Sequence, residues 1–515
     1  MFNFASTLDY HAERRPSKVV VSDGERKVTN SEFFKRVNAL ASVLADLGIG
    51  RGDIVGILMY NRLEFLEVVY AANRVGAAFL PLNYRLSAPE WEYIINHGEV
   101  KVLFSEAEFA SAIGEMAPRL PRLSSRVMVD SDMEGWLPYA TVVEAALGVE
   151  FPVVDVDEDD LQRLMYTSGT TSRPKGVCIS HRNLMYKNLG FIIQFALTHQ
   201  DISMTAGPLY HVGALDMGGI TTLHAGGSLV LQRKFEPEGL LALIEKEKAT
   251  TVWLAPAMLN AVLQSPALKS RKLDSIRVIM NGGEKMPEAR LKQVLEAFPG
   301  VWVADAYGLT ETVSSDTFVT EEHMRSKIGS VGKPMPQLSV RIVDDNGAIL
   351  PPNTVGEIAL RGPKVFNGYW HDEEATSNAI RGGWFHTGDM GHLDDDGFLY
   401  IDDRKKDMIV SGGENIASPE VERVLYEHPS ILEAAVVGQP DQRWGEVPRA
   451  FVVLKEGHSL TPDEIREFCR ERLAKFKVPA YVDVLTELPR TPSGKVLKRH
   501  LREKASTDGA APGGS

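Results

Sequence analysis

The stretch MYTSGTTSRPKGVCISH, residues 165–181, gathers hydroxyls and glycines around one lysine, Lys175, directly behind an apolar run. A loop of Thr167, Ser168, Gly169, Thr170 and Thr171 offers hydroxyls and unhindered backbone N–H groups to a polyphosphate, with Lys175 as a point charge. The P-loop alternative fails, because that motif needs glycine before its lysine and Ser or Thr after it, whereas Pro174 and Gly176 flank Lys175. Taken alone, the loop reads equally well as a polar turn behind a buried strand. Glu311 in AYGLTE, Asp389 in GWFHTGD and Lys495 in TPSGK are further charged residues in turn-like stretches. Each has a plain reading, since an acid in a Gly-rich turn or a lysine near a chain end is ordinarily a solvated charge.

These residues sit on elements that the hydropathy pattern sketches. The first 400 residues alternate helix-period segments with short β-type runs, the texture of α/β layers. In IRVIMNGGEKMPE, Ile276 to Met280 reads as a buried strand, Gly282 and Gly283 as a tight turn, and Pro287 as the opening of the next helix. Ligands collect at the carboxyl ends of the strands in such sheets. From about residue 329 short strands with Gly/Asp turns suggest a small β-barrel or meander. The last hundred residues read as a separate α+β unit, with one helix opened by Ser418 and Pro419 and carrying Val421, Val424 and Leu425. A second helix opens with a capping box, Thr461 and Glu464, and shows Ile465, Phe468, Cys469, Leu473 and Phe476 on one face. The expected division is a large N-terminal unit over 1–405, a small C-terminal unit over 406–505, and a disordered Gly-rich tail over 506–515.

Composition narrows the partners. At 515 residues the chain is long enough for two or more domains. Its net charge, 56 − 69 = −13, argues against nucleic acid or an anionic membrane as the main partner. Two cysteines, Cys178 and Cys469, support neither a disulfide framework nor a Cys-based metal site. The start, MFNFASTLDYHAERRP, lacks the basic segment and apolar core of a signal peptide, and no long uninterrupted apolar run follows, so a soluble, cytoplasmic protein without an integral membrane segment is expected.

The motifs also occur as a set. YTSGTTSRPKG resembles the signature of the adenylate-forming superfamily, which includes acyl- and aryl-CoA synthetases, adenylation domains of peptide synthetases and luciferases. PLYHVGAL (208–215), NGGE (281–284), AYGLTE (306–311), GWFHTGD (383–389), DRKKDMIVSGGENI (403–416) and PRTPSGK (489–495) follow in the family order. One departure is Ser172, where the family usually has glycine. The resemblance implies ATP- and Mg²⁺-dependent attack of a carboxylate on the α-phosphate, giving an acyl-adenylate and pyrophosphate, after which a thiol displaces AMP. It places Thr167 to Thr171 and Lys175 on the β- and γ-phosphates, Thr310 on the α-phosphate and Glu311 on Mg²⁺. Tyr307 would stack near adenine, beside Gly282, Gly283, Glu284, Ala306 and Gly308, and Asp389 would hold the ribose hydroxyls with Arg404. Lys495 would bridge the carboxylate and the α-phosphate, a +1 charge between two anions. Lys406 would be the hinge about which the small domain rotates after adenylation, withdrawing Lys495 and bringing Gly412 and Gly413 up to a pantetheine arm. Lys495 also lies in a P-x-x-x-x-G-K sequence like that at which relatives are silenced by acetylation; loss of adenylation without loss of ATP binding on acetylation would support the same control here.

By the same resemblance Arg85, Trp444 and Phe476 match positions that hold coenzyme A, which favours free CoA over a carrier protein. The acid would be lined by Val212, Gly213, Asp216, Trp253, Ile279, Asn281, Ala306, Ser314 and Ser315, with His211 as a gate near its carboxylate. A long alkyl chain would strip water from Asp216 and Asn281 at about 1–3 kcal/mol each. A small aromatic or functionalised acid is therefore expected, with Asp216 meeting its amino or hydroxyl group. If Asp216 turns away, the pocket suits medium-chain fatty acids. Transfer to a carrier protein or another nucleophile, adenylation of something other than a carboxylate, a homodimer, and a catalytically dead nucleotide sensor complete the alternatives; the joint presence of Lys175, Glu311, Asp389, Arg404 and Lys495 speaks against the last.

Overall fold

The computed structural model describes residues 3–167, 174–283, 286–404, 407–411, 414–441, 444–473, 475–490 and 496–509. Two mostly parallel sheets dominate the large unit. The nine-stranded sheet runs in the order 333–334, 317–318, 302–307, 278–282, 251–254, 202–205, 228–231, 19–22 and 27–29. The seven-stranded sheet runs 137–138, 125–128, 100–105, 54–58, 78–81, 161–167 and 175–180, and only its last pair is antiparallel.

Helices cover both faces of both sheets, so strands such as Ile54–Leu58 and Val278–Gly282 are buried throughout and read as continuous apolar runs. The main core lies between the sheets and is filled by Asn30–Asp46, Leu63–Arg74 and His181–Phe195. On the outer face of the nine-stranded sheet, Pro237–Glu247, Pro256–Gln264 and Glu288–Ala297 pack over Val252, Leu254, Ile279 and Val303. Pro287 caps the last of these helices, in line with the turn read from NGGEKMPE.

Residues 339–404 form a five-stranded antiparallel sheet whose main pairings follow chain order, as in a meander. The C-terminal unit is the expected α+β layer. Ser418–Glu427 buries Val421, Val424 and Leu425 against Ile431–Asp441 and Gly445–Leu454. The capping box at Thr461 and Glu464 forms, and its helix, Pro462–Arg470, buries Ile465 and Cys469. That helix ends before Phe476, which lies in the separate turn Lys475–Lys477 and is 41% exposed, so the apolar face expected to include it stops short. The final helix, Lys498–Gly509, extends through the first residues of the expected disordered tail; 510–515 lie outside the described residues.

The two units touch at the foot of the small one. Asp403 Oδ2 accepts from Ser418 N at 2.9 Å and Ser418 Oγ at 2.8 Å, satisfying donors that a helix start leaves open. No helix among the described residues is long and apolar enough to cross a membrane.

Candidate active site

The nucleotide motifs meet at the carboxyl end of the nine-stranded sheet. Val278–Gly282 and Trp302–Tyr307 are neighbours with Gly282 opposite Ala306, so NGGE and AYGLTE leave the sheet side by side. Tyr307 donates from its hydroxyl to Asp389 Oδ2 at 2.7 Å, and Asp389 pairs in register with Arg404. Burial, then the Asp389 carboxylate, push the Tyr307 hydroxyl well above its ordinary range, so it stays a donor. Tyr307, Asp389 and Arg404, all expected around adenosine, are thereby joined by one hydrogen bond and one strand pairing.

Thr310–Thr312 makes a single 3₁₀ turn immediately behind Tyr307. Glu311 Oε1 accepts from the Tyr369 hydroxyl at 2.9 Å, and the Lys175 ammonium lies 5.0 Å from the centre of the same ring. Tyr369 thus brings together the lysine of the phosphate loop and the acid assigned to Mg²⁺, although their numbers differ by more than a hundred. Its backbone has a part as well. Residues 367–370 run beside the strand Lys175–Ser180, with Cys178 N donating to Gly368 O, Asn367 N to Cys178 O and Trp370 N to Gly176 O.

The turn that follows is strained. Val313 and Ser314 adopt φ of 56° and 67°, a region costing about 1–3 kcal/mol for a non-glycine residue and least suited to a β-branched one. Gly308 permits this turn, since a Cβ there would collide with the backbone of Ser315. The Lys364 ammonium, buried beneath, donates to Ser314 O at 2.7 Å, Ser315 O at 2.5 Å and Asp316 Oδ1 at 2.8 Å. Burial lowers the Lys364 ammonium and raises the Asp316 carboxyl, each partly opposed by the charge of the other.

The acid-binding candidates divide into two groups. Trp253 packs among Gly207, Gly213 and Ala214; a Cβ on Gly213 would come 2.5 Å from its ring, so glycine is needed for the ring to lie there. His211 stacks on it with centroids 6.3 Å apart and planes at 23°, and its Nδ1 accepts from Gly213 N at 3.2 Å. Gly213–Ile220 is a π-helix, the widened form found at functional sites, and Ser315 Oγ reaches Met217 Sδ on it at 3.0 Å. His211, Val212, Gly213, Trp253, Ala306, Ser314 and Ser315 therefore belong to one neighbourhood on the inner side of the sheet.

Three of the expected lining residues do not. Ile279 faces the outer helices with Val252 and Leu254, because strand residues alternate and the inner face takes Val278 and Met280. Asn281 shares the parity of Ile279, and its Nδ2 donates to Asp305 Oδ1 at 2.7 Å. Asp216 is fully buried; its Oδ2 accepts from Arg163 Nη2 at 2.6 Å and its Oδ1 is 3.5 Å from Lys187 Nζ. A carboxylate already held by two buried cations does not receive a substrate amine, and the case against alkyl chains built on Asp216 and Asn281 falls with it.

Of the expected CoA contacts, Arg85 lies on an exposed loop and Trp444 and Phe476 are 47% and 41% exposed, so neither ring is core filler of the small unit. Ser168, Gly169, Thr170, Thr171, Ser172, Glu284, Lys406, Gly412, Gly413 and Lys495 lie outside the described residues, as does the side chain of Arg404. Tyr369, Lys364, Arg163 and Lys187 carry no motif that marks them in the sequence. A tyrosine in the FNGYW turn gives a faint signal, whereas a buried lysine gives none.

Glu311 tests well as a Mg²⁺ residue. It presents carboxylate oxygen, the donor Mg²⁺ prefers, in the same neighbourhood as Lys175, and Mg²⁺ ordinarily takes one or two carboxylates and completes its shell with phosphate and water.

Two mostly parallel sheets, the motifs gathered at the carboxyl end of one of them and a small C-terminal α+β unit fit an adenylate-forming enzyme. The chain belongs to the AMP-binding enzyme family: residues 8–370 match the AMP-binding enzyme model and 420–495 its C-terminal domain. It is 38% identical to an indoleacetate–CoA ligase of Aromatoleum aromaticum, over 96% of this chain and 97% of the relative. It is 36% identical to a feruloyl-CoA synthase of Amycolatopsis, again over 96% and 97%. Among solved structures it resembles an anthranilate CoA ligase in complex with anthranoyl-AMP, with a TM-score of 0.92, 27% identity and coverage of 99% and 98%.

Proposed function

We propose that the protein is an AMP-forming aryl-CoA ligase, joining a small aromatic carboxylic acid to coenzyme A at the expense of ATP. The observation that carries this reading is the gathering, around the carboxyl end of the nine-stranded sheet, of the Lys175–Tyr369–Glu311 group, the Tyr307–Asp389 pair and the His211–Trp253 stack. Likeness to ligases of indoleacetate, ferulate and anthranilate supports an aromatic acid, and Trp253 offers such a ring a flat apolar partner.

A carboxylate is a poor electrophile, so one of its oxygens must first become part of a leaving group. The carboxylate attacks the α-phosphorus of ATP; the bond to the bridging oxygen breaks, and pyrophosphate leaves with that electron pair. Lys175 meets charge on the β- and γ-phosphates, and Thr310 offers its hydroxyl to the α-phosphate. Glu311 would hold Mg²⁺, which when bound neutralises phosphate charge. Asp389 accepts from the ribose hydroxyls. His211, stacked on Trp253, would gate the reacting carboxylate, and Lys495 would offset the charge of the two anions. In the second half-reaction the thiolate of CoA attacks the acyl carbon, AMP leaves with the carboxyl oxygen, and Arg85, Trp444 and Phe476 hold the CoA nucleotide.

The test is pyrophosphate release from purified protein with ATP and Mg²⁺ against benzoic, cinnamic, arylacetic, amino-substituted and fatty acids, with and without CoA. An aryl acid that releases pyrophosphate and accumulates its CoA thioester is the expected result. A response confined to fatty acids overturns the aryl reading. Pyrophosphate without CoA consumption moves the acceptor to a carrier protein or an amine.

A further inference from the structure

Lys364 is 2% exposed and lies outside every motif that marks the nucleotide site. Its three N–H donors match three oxygens, those of Ser314, Ser315 and Asp316, and Met335 Sδ lies 3.2 Å away. Two of these oxygens are backbone carbonyls of the left-handed turn behind Glu311. The third belongs to Asp316, whose other oxygen accepts from Thr312 Oγ1 at 2.7 Å and whose N–H donates to Tyr307 O at 2.5 Å. Two residues on, Phe366 N donates to Glu311 O at 2.7 Å, and Tyr369 then reaches the Glu311 carboxylate. One short segment, 364–369, therefore grips 311–316 by side chain and backbone together. An ion pair kept for stability alone would need only Asp316; the two carbonyl bonds fix a backbone that otherwise relaxes from a disfavoured conformation.

We propose that Lys364 is a positioning residue for adenylation: its ammonium locks the turn at Val313 and Ser314, holding Thr310 and Glu311 toward the phosphates and Ser314 and Ser315 toward the acid. This rests on the roles given to Thr310 and Glu311 above.

The decisive variants are Lys364→Met, Asp316→Asn and the pair combined. Lys364→Met alone strands a buried carboxylate, so loss of stability and loss of positioning are mixed in it. The double variant removes both charges and keeps an acceptor for Thr312, but leaves the carbonyls of Ser314 and Ser315 unheld. The expected result is a double variant within a few degrees of the wild-type thermal midpoint, with adenylation kcat at least tenfold lower by ATP–pyrophosphate exchange and KM for ATP changed less than threefold. Recovery of wild-type kcat in the double variant, or a change in KM alone, overturns the proposal.

Mn²⁺ binding to the enzyme–ATP complex, followed by electron paramagnetic resonance, needs no acid. At least fivefold weaker Mn²⁺ binding in the double variant supports the clamp even where no acid turns over, in which case only the reading of the substrate fails; unchanged Mn²⁺ binding overturns the clamp. Should the double variant not fold, Gly308→Ala pushes a Cβ into the Ser315 backbone and shifts the turn with the ion pair intact. Weaker Mn²⁺ binding in that variant supports the proposal, and unchanged binding overturns it.

Discussion

Lys364 meets one carboxylate and two backbone carbonyls, whereas Asp216 meets two cations, Arg163 and Lys187, in a cluster with more positive than negative charge. Both groups are buried, and Ser315 and Met217 link the segments that carry them. Lys364 is bound mainly to a strained turn beside Glu311, the residue proposed to hold Mg²⁺, so its removal should register in rate. Asp216 and Arg163 tie a π-helix to the strand Leu161–Thr167, next to the edge of the seven-stranded sheet, and Lys187 adds the helix His181–Phe195, so their loss should register in stability. Burial of charge alone does not announce a catalytic part; what the charge is bonded to decides.

The sharpest way to break this contrast is Asp216→Ala, which leaves the buried Arg163 guanidinium without its anion. It should cost about 3–5 kcal/mol of unfolding free energy, read from denaturant midpoints; a loss below about 1 kcal/mol would remove the distinction between the clusters. Glu311→Gln should do the opposite, lowering adenylation kcat by about 10² and weakening the apparent Mg²⁺ dependence at an unchanged thermal midpoint. Trp253→Ala removes the flat wall of the acid cleft and should move kcat/KM toward bulkier acids by about tenfold, measured as a ratio between two acids in one assay.

The smallest effect belongs to pH. Burial, opposed by Asp216 and reinforced by Arg163 and Lys364, lowers the Lys187 ammonium from 10.5 to about 7. Between those values the unfolded chain holds a proton that the folded chain has released, so this group makes the fold more stable as pH rises from about 7 toward 10. Lys187→Met should flatten that rise by up to one proton's slope, and an unchanged slope would show that Lys187 stays charged in the fold.

Much of the nucleotide site is legible in the sequence because NGGE and AYGLTE each end a strand of one sheet. Gly282, Ala306 and Tyr307 need only that sheet to bring them together, whereas Asp389 reaches them from the antiparallel sheet. The acid cleft is less legible for a geometric reason. Ile279 and Asn281 sit on a strand whose period of two sends them away from Met280, and the order of residues in VIMNG already carries that alternation. Asp216 misleads differently. Its partners, Arg163 and Lys187, lie 53 and 29 residues away, and no local pattern announces that they converge. Lys364 and Tyr369 are hidden in the same manner, in a turn that reads as a connection between short strands.

The pairing of residues 367–370 with the strand Lys175–Ser180 bears on how this protein can be cut. The arm that leaves the phosphate loop has Leu161–Thr167 on one side and a segment from the antiparallel sheet on the other. A chain divided in the exposed Asp344–Gly347 turn would leave Lys175 and Glu311 on one fragment and Tyr369 and Asp389 on the other. Neither fragment would hold a nucleotide alone, and activity would return only when the two were mixed. The boundary between sheets is therefore not a boundary between functions, and this joint suits a split reporter rather than a domain swap.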